Sequence, residues 1–356
     1  MASSTTTMIT TEDLPALFHD VTPIPQDEGP HIVCRIDYPP EFTIAYDYFR
    51  ALSAKDEWSE RALQLTTLCL QFNPANYTVW HFRRKCMWAL LMKEDKSIDL
   101  EAFLVNDLTL AAALGGENPK NYQIWYHRRA ILEYVEQQTN KELFYTFCRR
   151  ELDYTAEVFQ EDSKNYHAWC FRQWILQTMK APAIWQEEMD FSHQMIMDGD
   201  VRNNSAWNQR WLAAHRGQLT TPLALETAQS EADYALQGAR IDPYNECPWR
   251  YLIAILKEQC RSSTMEEDKR TWLLQHYLDH AELVKEVLKE ADKDPEACPN
   301  LSAALVDILE MKGDTEALTH AKQLMHYLEH DIDPIRARYW AFRSKTIEQA
   351  LSLKSD

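Results

Sequence analysis

The chain has 356 residues, a formal net charge of −18 and only 7 glycines. That length can form two globular domains or one elongated repeat array, with a large core in either case. The acidity argues against nucleic acid as a partner, because neutralising phosphate needs Lys and Arg, and the scarcity of Gly favours helix.

The first residues, "MASSTTTMITTEDLP", have no basic region followed by an apolar run, so no secretory signal is expected. Their Ser/Thr-rich composition predicts disorder over residues 1–17. The segment "HIVCRIDYPPEF", from His31, is the one candidate for extended structure. The eight cysteines (34, 69, 86, 148, 170, 247, 260 and 298) contain no CxxC pair. A zinc ribbon or thioredoxin-like site is therefore unsupported, and a reducing compartment fits. No apolar run approaches the ~18 residues that a membrane span requires, so the expected location is the cytosol.

From residue 57 onward, apolar residues recur at helical spacing over 57–72, 100–114, 143–159, 185–197 and 222–240. Between these stretches runs a second series, marked by Trp80, Trp125, Trp169, Trp207, Trp249 and Trp340, with gaps of 45, 44, 38, 42 and 91 residues. Seven residues before each Trp stands Asn73, Asn118, Asp162, Asp200, Asp242 or Asp333, and Pro follows at 74, 119, 243 and 334. Asn or Asp followed by Pro predicts that the helices are capped and begin there. Four residues before the Trp the chain places Asn76, Asn121, Asn165, Asn203 and Asn245, and three after it Arg83, Arg128, Arg172, Arg210 and Arg343. Arg336 and Leu252 are the exceptions. Asn, Trp and Arg at this spacing share one helical stripe, as expected of packing between stacked hairpins. Two helices per unit of about 40 residues predict an all-α fold, an α-α superhelix built as a crescent of antiparallel helical hairpins. The repeat domain is expected over residues 18–350, with a flexible tail at 351–356.

Positions that change between copies are the candidates for function. Five residues before the Trp the series is Ala75, Lys120, Lys164, Arg202, Tyr244 and Ile335. Two before it the series is Thr78, Gln123, His167, Ser205, Cys247 and Arg338. Both slots are expected in the first two helical turns, where the helix dipole favours anions, so Lys120, Lys164 and Arg202 would form a short basic strip. The pairs His276/His280 and His326/His330 are spaced i,i+4 but lack a third ligand and the HExxH pattern, which makes them solvated faces. No Gly-rich phosphate loop and no Ser or Cys nucleophile motif occurs, so the chain alone does not look like a complete catalyst.

The blocks "NYTVWHFRR" (76–84), "PKNYQIWYHRR" (119–129), "KNYHAWCFRQW" (164–174) and "VRNNSAWNQRW" (201–211) closely resemble the α subunit shared by protein farnesyltransferase and type I protein geranylgeranyltransferase. The likeness runs from about Phe18 to Gln349 and is weakest at "DPYNECPWRYL". It implies a heterodimer in which the β subunit holds zinc, magnesium accompanies the diphosphate, and farnesyl or geranylgeranyl is transferred to the Cys of a C-terminal CaaX sequence. By the same resemblance Lys120 is the catalytic residue, approaching the diphosphate leaving group, and Gln123 donates to the peptide carboxylate. Tyr122, Asn165, Tyr166 and His167 would lie beside the isoprenoid and peptide cleft. Two other readings share the hairpin pattern: the α subunit of Rab geranylgeranyltransferase, and a TPR-like adaptor that binds peptides without chemistry.

Overall fold

The computed structural model describes residues 9–31, 33–93, 98–116, 118–218, 221–294 and 297–355. The described residues form sixteen α-helices and no strand. The expected extended segment is irregular over residues 33–39 and then enters a helix at Pro40. The chain divides into two compact units, one ending at Met179 and the other beginning at Lys180.

In the first unit, α1 (Leu14–Leu17) and α2 (Pro40–Ala54) precede three hairpins: α3 (Glu60–Phe72) with α4 (Tyr77–Leu91), α5 (Leu100–Gly116) with α6 (Tyr122–Gln138), and α7 (Lys141–Glu161) with α8 (Tyr166–Met179). Residues 9–17 belong to this packing: Leu14 and Phe18 are buried against Tyr48, Leu52 and Leu65 in one core. The expectation of disorder therefore fails there, because a Leu and a Phe fill a pocket that Ser/Thr-rich composition did not advertise. Residues 1–8 lie outside the described residues.

In the second unit, α9 (Ile184–His193) pairs with α10 (Asn204–Gln218), α11 (Leu225–Ile241) with α12 (Glu246–Arg261), α13 (Glu267–Glu290) with α14 (Pro299–Lys312), and α15 (Thr315–Tyr327) with α16 (Ala337–Ser355). The 91-residue gap between Trp249 and Trp340 is filled by the α13–α14 hairpin, which has no Trp at the matching position. Helix α16 runs to Ser355, so the expected tail at 351–356 is helical through nearly all its length.

The helix starts correct the sequence reading. The caps are Asn76, Asn121 and Asn245, three residues beyond the expected Asn73, Asn118 and Asp242. The earlier Asn or Asp instead opens a β-turn. Its carbonyl accepts the N–H three residues on, as in Asn118 to Asn121 and Asp162 to Asn165. Its side-chain oxygen accepts the N–H two residues on, as at Ala75, Lys120, Lys164, Arg202 and Tyr244. Asn or Asp at the first turn position and Pro at the second suit a type I turn as well as they suit a helix start. Two polar residues three apart were competing for one role, and the second of them holds it.

These turns also hold the repeats together. Each of the six marker tryptophans is buried, and in the first five copies the indole N–H donates to the carbonyl six residues earlier. The acceptors are Pro74, Pro119, Ser163, Val201 and Pro243, at 2.8–3.0 Å. In three interfaces the Asn of the next repeat donates its amide to that same carbonyl: Asn121 to Pro74, Asn165 to Pro119 and Asn245 to Val201. At Pro243 the Asn is replaced by Cys298, whose Sγ lies 3.3 Å from the carbonyl oxygen. Packing is equally tight: a Cβ on Gly238 would stand 2.9 Å from Cζ2 of Trp207, so a side chain at that position in α11 would force the buried indole to shift.

The recurring Arg works deeper in the stack. Arg83, Arg128 and Arg172 each donate to the carbonyl twenty residues earlier, on the first helix of their own hairpin. Arg83 also reaches Asp107, and Arg128 grips Glu151 with two bonds of 2.7 and 2.8 Å, both carboxylates belonging to the next hairpin. Burial pushes the Glu151 carboxyl above its ordinary pKa even with Arg128 beside it. For Asp107 burial acts in the same direction, but Arg83 and His127 outweigh it and hold the carboxyl low. His127 is fully buried, with Nε2 at 2.6 Å from Asp107 and Nδ1 facing the Arg84 guanidinium. Burial, and then the Arg83 and Arg84 charges, shift this imidazole's pKa below the ordinary histidine value against the opposing pull of Asp107.

Replacing Arg128 by Met leaves Glu151 buried and uncompensated, and is expected to lower unfolding stability by about 3 kcal/mol. Adding Glu151→Leu should restore most of the loss in urea unfolding, since the pair's attraction only offsets its own desolvation.

Candidate functional site

Lys120, Tyr122, Gln123, Asn165, Tyr166 and His167 lie on two neighbouring turn-and-helix starts of the first unit. The turn Asn118-Pro119-Lys120-Asn121 places Lys120 one residue before the cap of α6, outside the helix. The expectation that both slots lie in the first two helical turns is thereby corrected for Lys120, which projects from the turn, while Gln123 projects from the first turn of α6. The Gln123 N–H is already held by Asn121 Oδ1 at 2.9 Å, so its side-chain amide is what the site can use. Lys120 is 70% exposed, and its Nζ lies 3.4 Å from Oδ2 of Asp162, the residue that opens the following turn.

Tyr122 and Tyr166 open α6 and α8, and both rings stand largely in solvent. The Tyr122 ring meets His167 edge-on at 4.2 Å, and His167 lies 5.9 Å from the ring of Tyr166. His167 is half-buried. Partial burial first, and the Lys120 charge second, shift its pKa below the usual histidine value. Cys170, one helical turn beyond Tyr166, is exposed beside it, and their contact raises the Tyr166 phenol. Asn165 differs from the other five. It is fully buried, its Oδ1 accepts the Ala168 N–H at 3.1 Å, and its Nδ2 donates to the Pro119 carbonyl. It braces the turn that carries Lys120 from below.

The expected basic strip is modified by pairing. Lys120 meets Asp162, and in the second unit Arg202 meets Asp242, so these two cations lie against a carboxylate of the next repeat. The acids of the turn slot escaped the sequence reading because all six copies were assigned to capping. The available signal was that copies one and two have Asn at this slot where later copies have Asp. Among the described residues no three His, Cys, Asp or Glu side chains gather where they could hold a metal ion. The pairs His276/His280 and His326/His330 stack on each other at 4.1 and 4.3 Å.

Chemically, the cluster offers an exposed cation, a donor amide and two aromatic faces side by side. That suits a ligand with an anionic group and an apolar body. Removing the Lys120 charge with Lys120→Ala should raise the His167 pKa toward the ordinary value, because a neighbouring cation disfavours imidazolium. An NMR titration of the His167 ring measures this, and an unmoved pKa would mean that the two side chains do not share the site in solution.

The protein prenyltransferase alpha subunit repeat matches residues 59–90, 104–135, 148–179 and 185–216, and these four segments fall on the α3–α4, α5–α6, α7–α8 and α9–α10 hairpins. The protein farnesyltransferase/geranylgeranyltransferase type-1 subunit alpha of Dictyostelium discoideum is 33% identical over 334 residues, covering 94% of this chain and 93% of that one. Its counterpart in Solanum lycopersicum is 37% identical over 337 residues, covering 93% and 90%. The solved structure of Candida albicans protein geranylgeranyltransferase-I complexed with GGPP shares the fold, with a TM-score of 0.69 at 23% identity over 93% of this chain and 98% of that one. The chain belongs to the family of protein farnesyltransferase/geranylgeranyltransferase type-1 alpha subunits.

Proposed function

We propose that the chain is the α subunit of a heterodimeric protein prenyltransferase. With a β subunit it transfers farnesyl or geranylgeranyl from the isoprenoid diphosphate to the cysteine of a C-terminal CaaX sequence. The observation that carries this reading is the likeness of the chain, over more than nine-tenths of its length, to the shared farnesyltransferase/geranylgeranyltransferase type-1 alpha subunits. The exposed tyrosines of the first unit, Tyr77, Tyr122, Tyr126 and Tyr166, support a partner, because aromatic side chains are enriched at protein interfaces. The zinc and magnesium of this chemistry belong with the β subunit and the diphosphate. The cytoplasm, where CaaX chains and their reduced thiols are made, is the location that fits.

In the transfer, the substrate thiolate forms a bond from sulfur to C1 of the isoprenoid. The C1–oxygen bond breaks, and its electron pair leaves with the diphosphate. Negative charge therefore accumulates on the leaving oxygens as the reaction proceeds. Lys120, an exposed ammonium on a braced turn, is suited to meet that charge, and an interaction that strengthens toward the transition state accelerates the step. Gln123, held in the adjacent helical turn, can donate its amide to the terminal carboxylate of the peptide. Tyr122, Tyr166 and His167 supply the apolar and polar wall between these two groups. Asn165 acts from beneath, by holding the Pro119 carbonyl.

The test uses the co-expressed heterodimer. Lys120→Ala should slow single-turnover transfer by about 10²-fold, the typical cost of losing one pre-organised oxyanion partner, with little change in isoprenoid diphosphate binding. A wild-type rate for that variant would remove Lys120 from the chemistry. Gln123→Ala should raise KM for a peptide ending in a free carboxylate several-fold while leaving KM for the same peptide as its amide unchanged. Equal effects on both peptides would rule out the carboxylate contact.

A further inference from the structure

We infer that Asp162 is a positioning residue for Lys120, a carboxylate that holds the ammonium in the resting site and yields it when the diphosphate binds. The inference deepens the reading above and rests on Lys120 facing the leaving group. Its geometric basis is a division of labour between the two oxygens of Asp162. Oδ1 accepts the Lys164 N–H at 3.1 Å and is fixed by the turn, while Oδ2 lies 3.4 Å from Lys120 Nζ. The carboxylate is thus anchored on the third repeat while the cation swings from the second.

The chain itself shows that the turn does not need this charge. At the same position in the first two copies stand Asn73 and Asn118. Their amide oxygens accept the Ala75 and Lys120 N–H at 3.1 and 3.3 Å in the same turn. An acid at 162 therefore adds something other than turn geometry, and what it adds is a place for Lys120. A comparable relation recurs in the second unit, where Arg202 Nε pairs with Asp242 forty residues on. The Lys120–Asp162 pair is exposed enough to be weak, so a diphosphate can displace it. A free Lys120 would bind the ground-state anion more tightly and would hold the product diphosphate after transfer. With Asp162 present, the ammonium has somewhere to return when the product leaves.

The experiment measures inhibition of the heterodimer by inorganic pyrophosphate, for wild type, Asp162→Asn, Lys120→Ala and the double variant. Asn preserves the turn, and an unchanged thermal midpoint checks this. Asp162→Asn is expected to tighten pyrophosphate binding roughly two- to five-fold, the range open to an exposed ion pair. In the Lys120→Ala background the same substitution should change nothing. Weaker or unchanged pyrophosphate binding by Asp162→Asn overturns the inference. A shift that persists without Lys120 also overturns it, because that would be general relief of negative charge. If instead Lys120→Ala transfers at the wild-type rate, the leaving-group reading fails, an outcome separable from failure at Asp162 alone.

Discussion

In three of the turns that join the two helices of a hairpin, a single backbone carbonyl accepts two side-chain donors, and the stacking of neighbouring repeats rests on it. At Pro74 the donors are the Trp80 indole and the Asn121 amide. At Pro119 they are Trp125 and Asn165, and at Val201 they are Trp207 and Asn245. The Trp comes from the carbonyl's own repeat and the Asn from the next, so the turn cannot be satisfied by one hairpin alone. These contacts are part-buried. An unmet donor or acceptor costs about 1–3 kcal/mol where burial is full and less here, and each such turn couples its hairpin to the next as repeat stability requires.

The same clamp positions the site. Lys120 follows Pro119 directly, and the Pro119 carbonyl is held by Trp125 from one side and Asn165 from the other. The backbone under Lys120 is therefore held by two repeats, while its side chain is exposed and pairs with Asp162. An exposed ammonium on a turn held by two repeats is a suitable arrangement for meeting charge that appears late in a reaction, since the backbone beneath it need not reorganise. Gln123 benefits from the same anchoring through the Asn121 cap. Buried Arg–carboxylate pairs such as Arg128–Glu151 contribute orientation between hairpins more than net stability.

Much of this was legible beforehand, for identifiable reasons. Trp, Asn and Arg at a constant spacing disclosed the hairpins, because a 3.6-residue period puts them on one stripe. The pattern failed at Trp249–Trp340, where a hairpin without Trp intervenes and Cys298 takes the place of an Asn. Helix starts were displaced by three residues, because Asn-Pro suits both a type I turn and a cap and nothing local separates them. Leu14 is not legible in advance because tertiary burial, not local composition, orders its segment. Of the six candidate site residues, Lys120, Gln123 and His167 stand in slots that change between repeats, whereas Tyr122, Asn165 and Tyr166 come from the family resemblance. The bracing role of Asn165 and the ion pair at Asp162 needed coordinates, since both join residues more than forty positions apart in sequence.

The most direct measurement is a crystal structure of the chain with its β subunit and an unreactive isoprenoid diphosphate analogue. The expected result is a Pro119 turn unchanged, with Trp125 and Asn165 still on its carbonyl, and Lys120 Nζ moved from Asp162 onto a diphosphate oxygen. A turn that has rearranged, or a Lys120 still on Asp162 with the diphosphate bound elsewhere, would contradict it.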